Sequence, residues 1–149
     1  MYKNQIIDWS KFNFKIYEFV SKNIYTQYKE SSIRFIDFRL ILIAQELRNR
    51  TGKQVTINNW FWNGQYKYSG YRERSCTEGS ENSSHRRGTG IDVKIKDMTG
   101  EQIRQHIKDN WKIYKELGVT GIEKDTSTWC HITTENWNVD YLVEIPVPK

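Results

Sequence analysis

Two stretches far apart in the chain constrain its fold more than any others: Ser83-Ser84-His85-Arg86-Arg87-Gly88-Thr89-Gly90-Ile91-Asp92 and Trp129-Cys130-His131-Ile132-Thr133. In the first, Gly88 and Gly90 lie between a histidine and an aspartate. Two glycines so close together cost about 2 kcal/mol of helix propensity, which predicts a turn running into a strand. Ile91, Val93 and Ile95 then alternate with Asp92 and Lys94, the period-two pattern of a half-buried strand. The same period in the second stretch puts Trp129, His131 and Thr133 on one face and Cys130 and Ile132 on the other. A fold that brings His85, Asp92 and His131 together offers two imidazole nitrogens and one carboxylate oxygen. That set suits Zn2+ and leaves a fourth position open, the arrangement of a catalytic rather than a structural metal.

The intervening chain reads as an α+β domain: a small, mainly antiparallel sheet carrying the metal site, flanked by helices. Asp37 is a good cap for a helix over about 37–50, where Leu40, Ile41, Ile43, Ala44 and Leu47 form an apolar face and Gly52 is the stop. Gln54 to Asn58 alternates with β-branched residues and predicts a strand. Trp60 to Ser80 is a long loop rich in Gly, Tyr and Ser, and long loops in compact domains are usually functional. Thr99 and Gln102 match a capping box at the head of a second helix, over 100–117, which Gly118 closes. His106, on the flank of that helix, is expected at the surface without a matched partner. Val119 to Glu123 and Thr128 to Thr134 predict two adjacent strands joined by a turn at Lys124-Asp125-Thr126-Ser127. Residues 1–33 read as an N-terminal arm with a partial helical stripe, packing on a single domain that spans 1–149.

Composition narrows the function classes. At 149 residues the chain is long enough to bury one core, and its 6 Trp and 9 Tyr point to a core built on rings. A net charge of +5 is that of a solvated surface, and no helix carries a dense Lys/Arg stripe, so nucleic acid is not an expected partner. An anionic cell-wall polymer fits the mild positive charge better. Cys76 and Cys130 are read as free thiols, with Cys130 turned away from the site. No apolar run reaches the ~18 residues of a membrane span and no signal peptide is evident, so the expected location on synthesis is the cytoplasm.

The spaced residues Ser83-x-His85-x-x-Gly88-x-Gly90-x-Asp92 resemble the Ser-x-His-x-x-Gly-x-Ala-x-Asp signature of the zinc D,D-peptidases, and Trp129-x-His131 is similar to their second motif. That fold family includes D-alanyl-D-alanine carboxypeptidases, L-alanyl-D-glutamate endopeptidases of phage lysins, and the hedgehog signalling domain. Val55 to Trp60 and Tyr68-Ser69-Gly70-Tyr71-Arg72 also look like segments of phage-encoded members. The resemblance implies that His85, Asp92 and His131 are zinc ligands. It also implies that Arg72 stabilises developing negative charge or binds a substrate carboxylate. Without the resemblance, Arg72 reads as a solvated loop arginine like Arg74.

Amide hydrolysis further needs a base for the attacking water. Asp125 lies at the spacing of the hedgehog zinc-site glutamate, whereas Glu123 looks like the glutamate of an Ile-Glu pair in phage-type proteins; Asp125 is narrowly favoured. The chain departs from the family at Thr128, where many zinc D,D-peptidases carry the acid, and at Thr133, where many have an aspartate. The expected function is a zinc metallopeptidase that cuts peptidoglycan stem peptides as a carboxypeptidase or endopeptidase, in phage cell-wall lysis or entry. It would reach the wall after release or as part of a phage particle, without a wall-binding module of its own. The alternatives are a non-catalytic zinc-binding protein, including a virion component, and a metal-free polar core held by hydrogen bonds.

Overall fold

The computed structural model describes residues 6–146. Its strands are β1 (Val55–Thr56), β2 (Gly90–Ile95), β3 (Gly121–Glu123), β4 (Cys130–Thr133) and β5 (Val143–Ile145). They form one sheet in the order β1-β2-β4-β3-β5. The pairs β1–β2, β2–β4 and β3–β4 are antiparallel. Strand β5 adds a parallel edge beside β3, from a C-terminal stretch in which no strand was expected. The helices are α1 (Lys22–Tyr28), α2 (Phe38–Thr51), α3 (Gly100–Asp109) and α4 (Trp111–Glu116), so the α+β class holds.

Capping chemistry sets the helix ends. The Asp37 carboxylate accepts from Arg39 N at 3.0 Å, and Gly52 closes α2 with φ 65, a left-handed conformation that glycine adopts without penalty. Thr99 and Gln102 form the expected reciprocal box at 3.1 and 2.8 Å. The single helix expected over 100–117 is instead broken at Asn110, which has φ −118 and ψ 29. Its side chain donates to His106 O at 2.9 Å, the competition with the helical ladder that asparagine is prone to. His106 is not unpartnered: its Nε2 lies 2.7 Å from the hydroxyl of buried Tyr114.

Strands β1, β3 and β4 are shorter than the alternating patterns predict, although single backbone bonds such as Lys96 N to Gln54 O and Thr120 N to Thr133 O continue just beyond their ends. The core lies between α2, α3 and the sheet, and Phe14, Ile16, Phe19 and Val20 are part of it. The N-terminal segment contributes these side chains from in and around a 3-10 turn at Ile16–Glu18, which α1 follows. Residues 1–5 of that segment, and 147–149 of the domain, lie outside the described residues. Among the described residues no helix is long and apolar enough to cross a membrane. Both cysteines are free and buried, and burial pushes the Cys130 thiol up to about 12.

The long loop is anchored on the N-terminal segment: Trp60 Nε1 and Asn58 Nδ2 both donate to Val20 O, and Tyr71 N donates to Phe19 O. Gly70 is obligatory there, since a Cβ would lie 2.1 Å from Phe19 O.

Candidate metal centre

Antiparallel register supplies two of the three ligands. Asp92 on β2 stands directly opposite His131 on β4, and cross-strand pairs on one face are close neighbours. His85 comes from the turn before β2. Gly88 lets that turn close, with φ 71 and its α-carbon so near the chain that a Cβ would meet Phe35 O at 1.9 Å. Its carbonyl accepts from Asp37 N at 2.8 Å, which ties the turn to the start of α2.

Asp92 Oδ1 lies 2.9 Å from His131 Nδ1 and 3.2 Å from His85 Nε2. Ligands about 2.0–2.1 Å from a tetrahedral zinc are separated by about 3.3 Å, so the two edges are close to those of a zinc polyhedron. All three donor atoms lie within 4.8 Å of one another. Each imidazole is oriented by its other nitrogen, as metal-binding histidines usually are. His85 Nδ1 is 2.9 Å from Gly70 O, which can only accept, so Nδ1 holds the proton and Nε2 is free to coordinate. His131 Nε2 is 2.9 Å from Ser84 Oγ, which leaves Nδ1 turned toward Asp92. The donor set and its spacing could hold a metal ion and are compatible with Zn2+.

Gly90 makes the second of these contacts possible. A Cβ there would sit 2.2 Å from Ser84 Oγ and 2.8 Å from His131 Cε1. Where the resembling signature has alanine, this chain has a glycine whose missing side chain is the space that Ser84 occupies.

Burial disfavours ionisation of Asp92, but charge and hydrogen bonds from the facing imidazoles outweigh it and hold the carboxyl well below the usual carboxylate range; a bound metal would take the place of the ring protons that face it. His85 is shifted the other way, burial lowering its pKa and favouring the neutral ring that a metal requires. Arg72 Nη2 lies 3.6 Å from Asp92 Oδ2, while its Nε donates to Tyr68 O at 2.7 Å.

The three donors open onto a cleft of about 420 Å³ whose walls include Arg72, Arg87, Glu123, Trp129, Glu135, Trp137 and Ile145. Burial raises the Glu123 carboxyl, and its charge is felt by His131, Asp92 and Arg72. Asp125, the narrowly favoured base, is exposed in the β3–β4 turn with φ 70 and is not among the residues that line the cleft. The structure thus brings together His85, Asp92, His131, Arg72 and Glu123, and leaves Asp125 outside. The reason is local: a left-handed residue after the end of β3 reverses the chain away from the strand face on which Glu123 sits.

Several contributors were not anticipated. Ser84 lies inside the first motif but has no periodic signal of its own, and Gly70 acts through a backbone carbonyl. Glu135 accepts from Arg87 Nε and Thr89 Oγ1, both at 2.6 Å, and so braces the cleft wall. Thr133 is fully buried and donates to Thr89 O at 2.9 Å, so it supports the turn that carries His85. The chain matches no protein-family model, no curated protein and no solved structure, so its site is characterised by its own geometry.

Proposed function

We propose that this protein is a zinc-dependent peptidase that hydrolyses an amide bond in peptidoglycan stem peptides, in phage cell-wall lysis or entry. The observation that carries the reading is the convergence of three oriented donor atoms, a guanidinium and a carboxylate of raised pKa on one cleft. Zinc, when bound, supplies Lewis acidity that polarises a carbonyl and makes water a better acid. His85, Asp92 and His131 hold it, with Gly70 and Ser84 fixing the rings. Glu123 takes a proton from the attacking water and returns it to the departing amine, for which a raised carboxyl pKa is suited. Arg72 donates paired hydrogen bonds to the oxygen on which negative charge builds, or to a substrate carboxylate. Trp129, Trp137 and Ile145 give the cleft an apolar wall for the rest of the peptide.

A second reading, a non-catalytic zinc-binding or virion protein of the same architecture, is favoured by one feature: position 128, which carries the acid in many zinc D,D-peptidases, is an exposed threonine. Metal analysis of the purified protein, with fragment release from peptidoglycan before and after chelation and zinc restoration, separates the two. About one zinc per chain with chelator-sensitive cleavage supports the peptidase. Zinc without cleavage on several wall types assigns the non-catalytic role.

A further inference from the structure

A second depression, of about 620 Å³, lies between α1 and the start of the long loop, with Lys22, Asn23, Trp60, Asn63, Lys67 and Tyr68 among its walls. Its volume is in the range of small-ligand sites, roughly 300–1,000 Å³. The chemistry of the wall is unusual for an incidental hollow: two ammonium groups, two carboxamides and two aromatic residues, with no carboxylate lining it. Glu73, next to Asn23, is already engaged by Ser21 Oγ at 2.6 Å.

The wall is also rigidly built. Trp60 is fixed through its Nε1 bond to Val20 O. Asn63 turns the chain with φ 63, and at Gly64 the Asn59 side chain fills the place of a Cβ, 2.1 Å away. Phe61 and Trp62 follow Trp60 in the same turn, beside the groove rather than in its wall, and are 48% and 58% exposed. Phe61 stacks on Tyr17 at 3.9 Å, which holds the platform in place.

The groove neighbours the metal cleft. A smaller hollow of about 220 Å³ shares Lys67 and Tyr68 with the groove, and it contains Arg72, which also lines the metal cleft. The bond from Arg72 Nε to Tyr68 O fixes the arginine between the two hollows.

We propose that the groove is a distal subsite for an amino-sugar polymer made acidic by lactyl carboxylates that carry no peptide, filled while a peptide amide-linked to a neighbouring lactyl group of the same polymer lies in the metal cleft. Ring faces pack on the apolar faces of sugars at little entropic loss. Carboxamides exchange hydrogen bonds with acetamido and hydroxyl groups, and Lys22 and Lys67 make charge-assisted bonds to carboxylates. The link to the peptide rests on the peptidase reading of the cleft; the binding of polymer in the groove does not.

The test uses peptide-free glycan strands of peptidoglycan, which bear free lactyl carboxylates, and follows binding by calorimetry or tryptophan fluorescence. Expected are about tenfold weaker binding for Lys22→Ala and for Lys67→Ala, and further weakening as salt shortens the screening length from about 8 Å to about 3 Å. His131→Ala, which loses the metal, binds strands like the native chain. Unchanged zinc affinity of the two lysine variants confirms that they are folded. Equal affinity for neutral N-acetylglucosamine oligomers, tighter binding of a polyol-phosphate polymer, or no binding of any strand overturns the proposal. Strand binding by a protein that hydrolyses nothing leaves the groove standing and removes the peptidase reading, whereas hydrolysis without strand binding does the reverse.

Discussion

His131 has two ring nitrogens to offer, and Ser84 Oγ, 2.9 Å from Nε2, decides which one faces Asp92. Partners of this kind are typically worth 10–100-fold in metal affinity, so Ser84→Ala is expected to weaken zinc binding by about that factor in a chelator competition. Gly90→Ala is expected to do at least as much by driving a methyl group into Ser84 and His131. Because both act through one contact, the double variant is expected to bind zinc no worse than Gly90→Ala alone; additive losses would show that the residues act separately. For the base, Glu123→Gln is expected to keep its zinc and lose roughly 10²–10⁴-fold in turnover of a muropeptide, while Asp125→Ala keeps both. Loss of turnover in Asp125→Ala would return the role to the turn. The convergence of His85, Asp92 and His131 was legible in the sequence because residue type and strand period both constrain them. The choice between Glu123 and Asp125 was not, since it hangs on the single left-handed residue at Asp125, and φ leaves no mark on polarity pattern.

Elements were legible where a cap or a period states them twice. Helix α2 has Asp37, an apolar face and Gly52 in agreement, and its ends fall within a residue of expectation. Asn110 broke the next helix because one side-chain hydrogen bond outweighed a continuous apolar face. The N-terminal 3-10 turn carries a pH dependence. Burial raises the Glu18 carboxyl to about 7, while Lys15 N donates to its Oε2 at 2.7 Å. The folded state therefore retains a proton that the unfolded chain has already released between the ordinary carboxylate range and about pH 7. Stability from this group falls as pH rises through that window and is constant below it. Glu18→Gln keeps the acceptor and removes the charge. It is expected to gain on the order of 2 kcal/mol over the native chain above neutral pH and little in acid, read from denaturant unfolding at both extremes. Equal differences at the two pH values would mean that Glu18 is not protonated in the fold.

At the scale of the whole molecule, the metal site joins parts of the chain that have little else in common. The ligand turn is tied to α2 through Asp37 and Gly88, and Thr134, just after β4, donates to the Asp37 carboxylate at 2.7 Å. Free zinc at about a thousand times its dissociation constant would add roughly 4 kcal/mol to unfolding. For a domain of this length each kilocalorie is worth about 2–4 °C, so a rise in melting temperature of about 10 °C is expected, reversed by chelator and absent in His85→Ala and His131→Ala. No shift in the native chain would identify the triad as a metal-free polar core. The general architecture was readable because helix caps and strand periods are local. The groove beside α1 was not, because its walls come from segments that only the fold makes neighbours.

The pairing of Asp92 with His131 also has a kinetic consequence. Thirty-nine residues separate them, and contacts between distant positions form late because loop closure precedes their reward. A pairing of this kind is expected to be incomplete when the folding barrier is crossed, so that a metal would meet its site afterwards. A zinc ion held there is expected to leave the refolding rate nearly unchanged and to slow unfolding, a latch on a door already shut rather than a hand that closes it; faster refolding with zinc in stopped-flow measurements would show the opposite order.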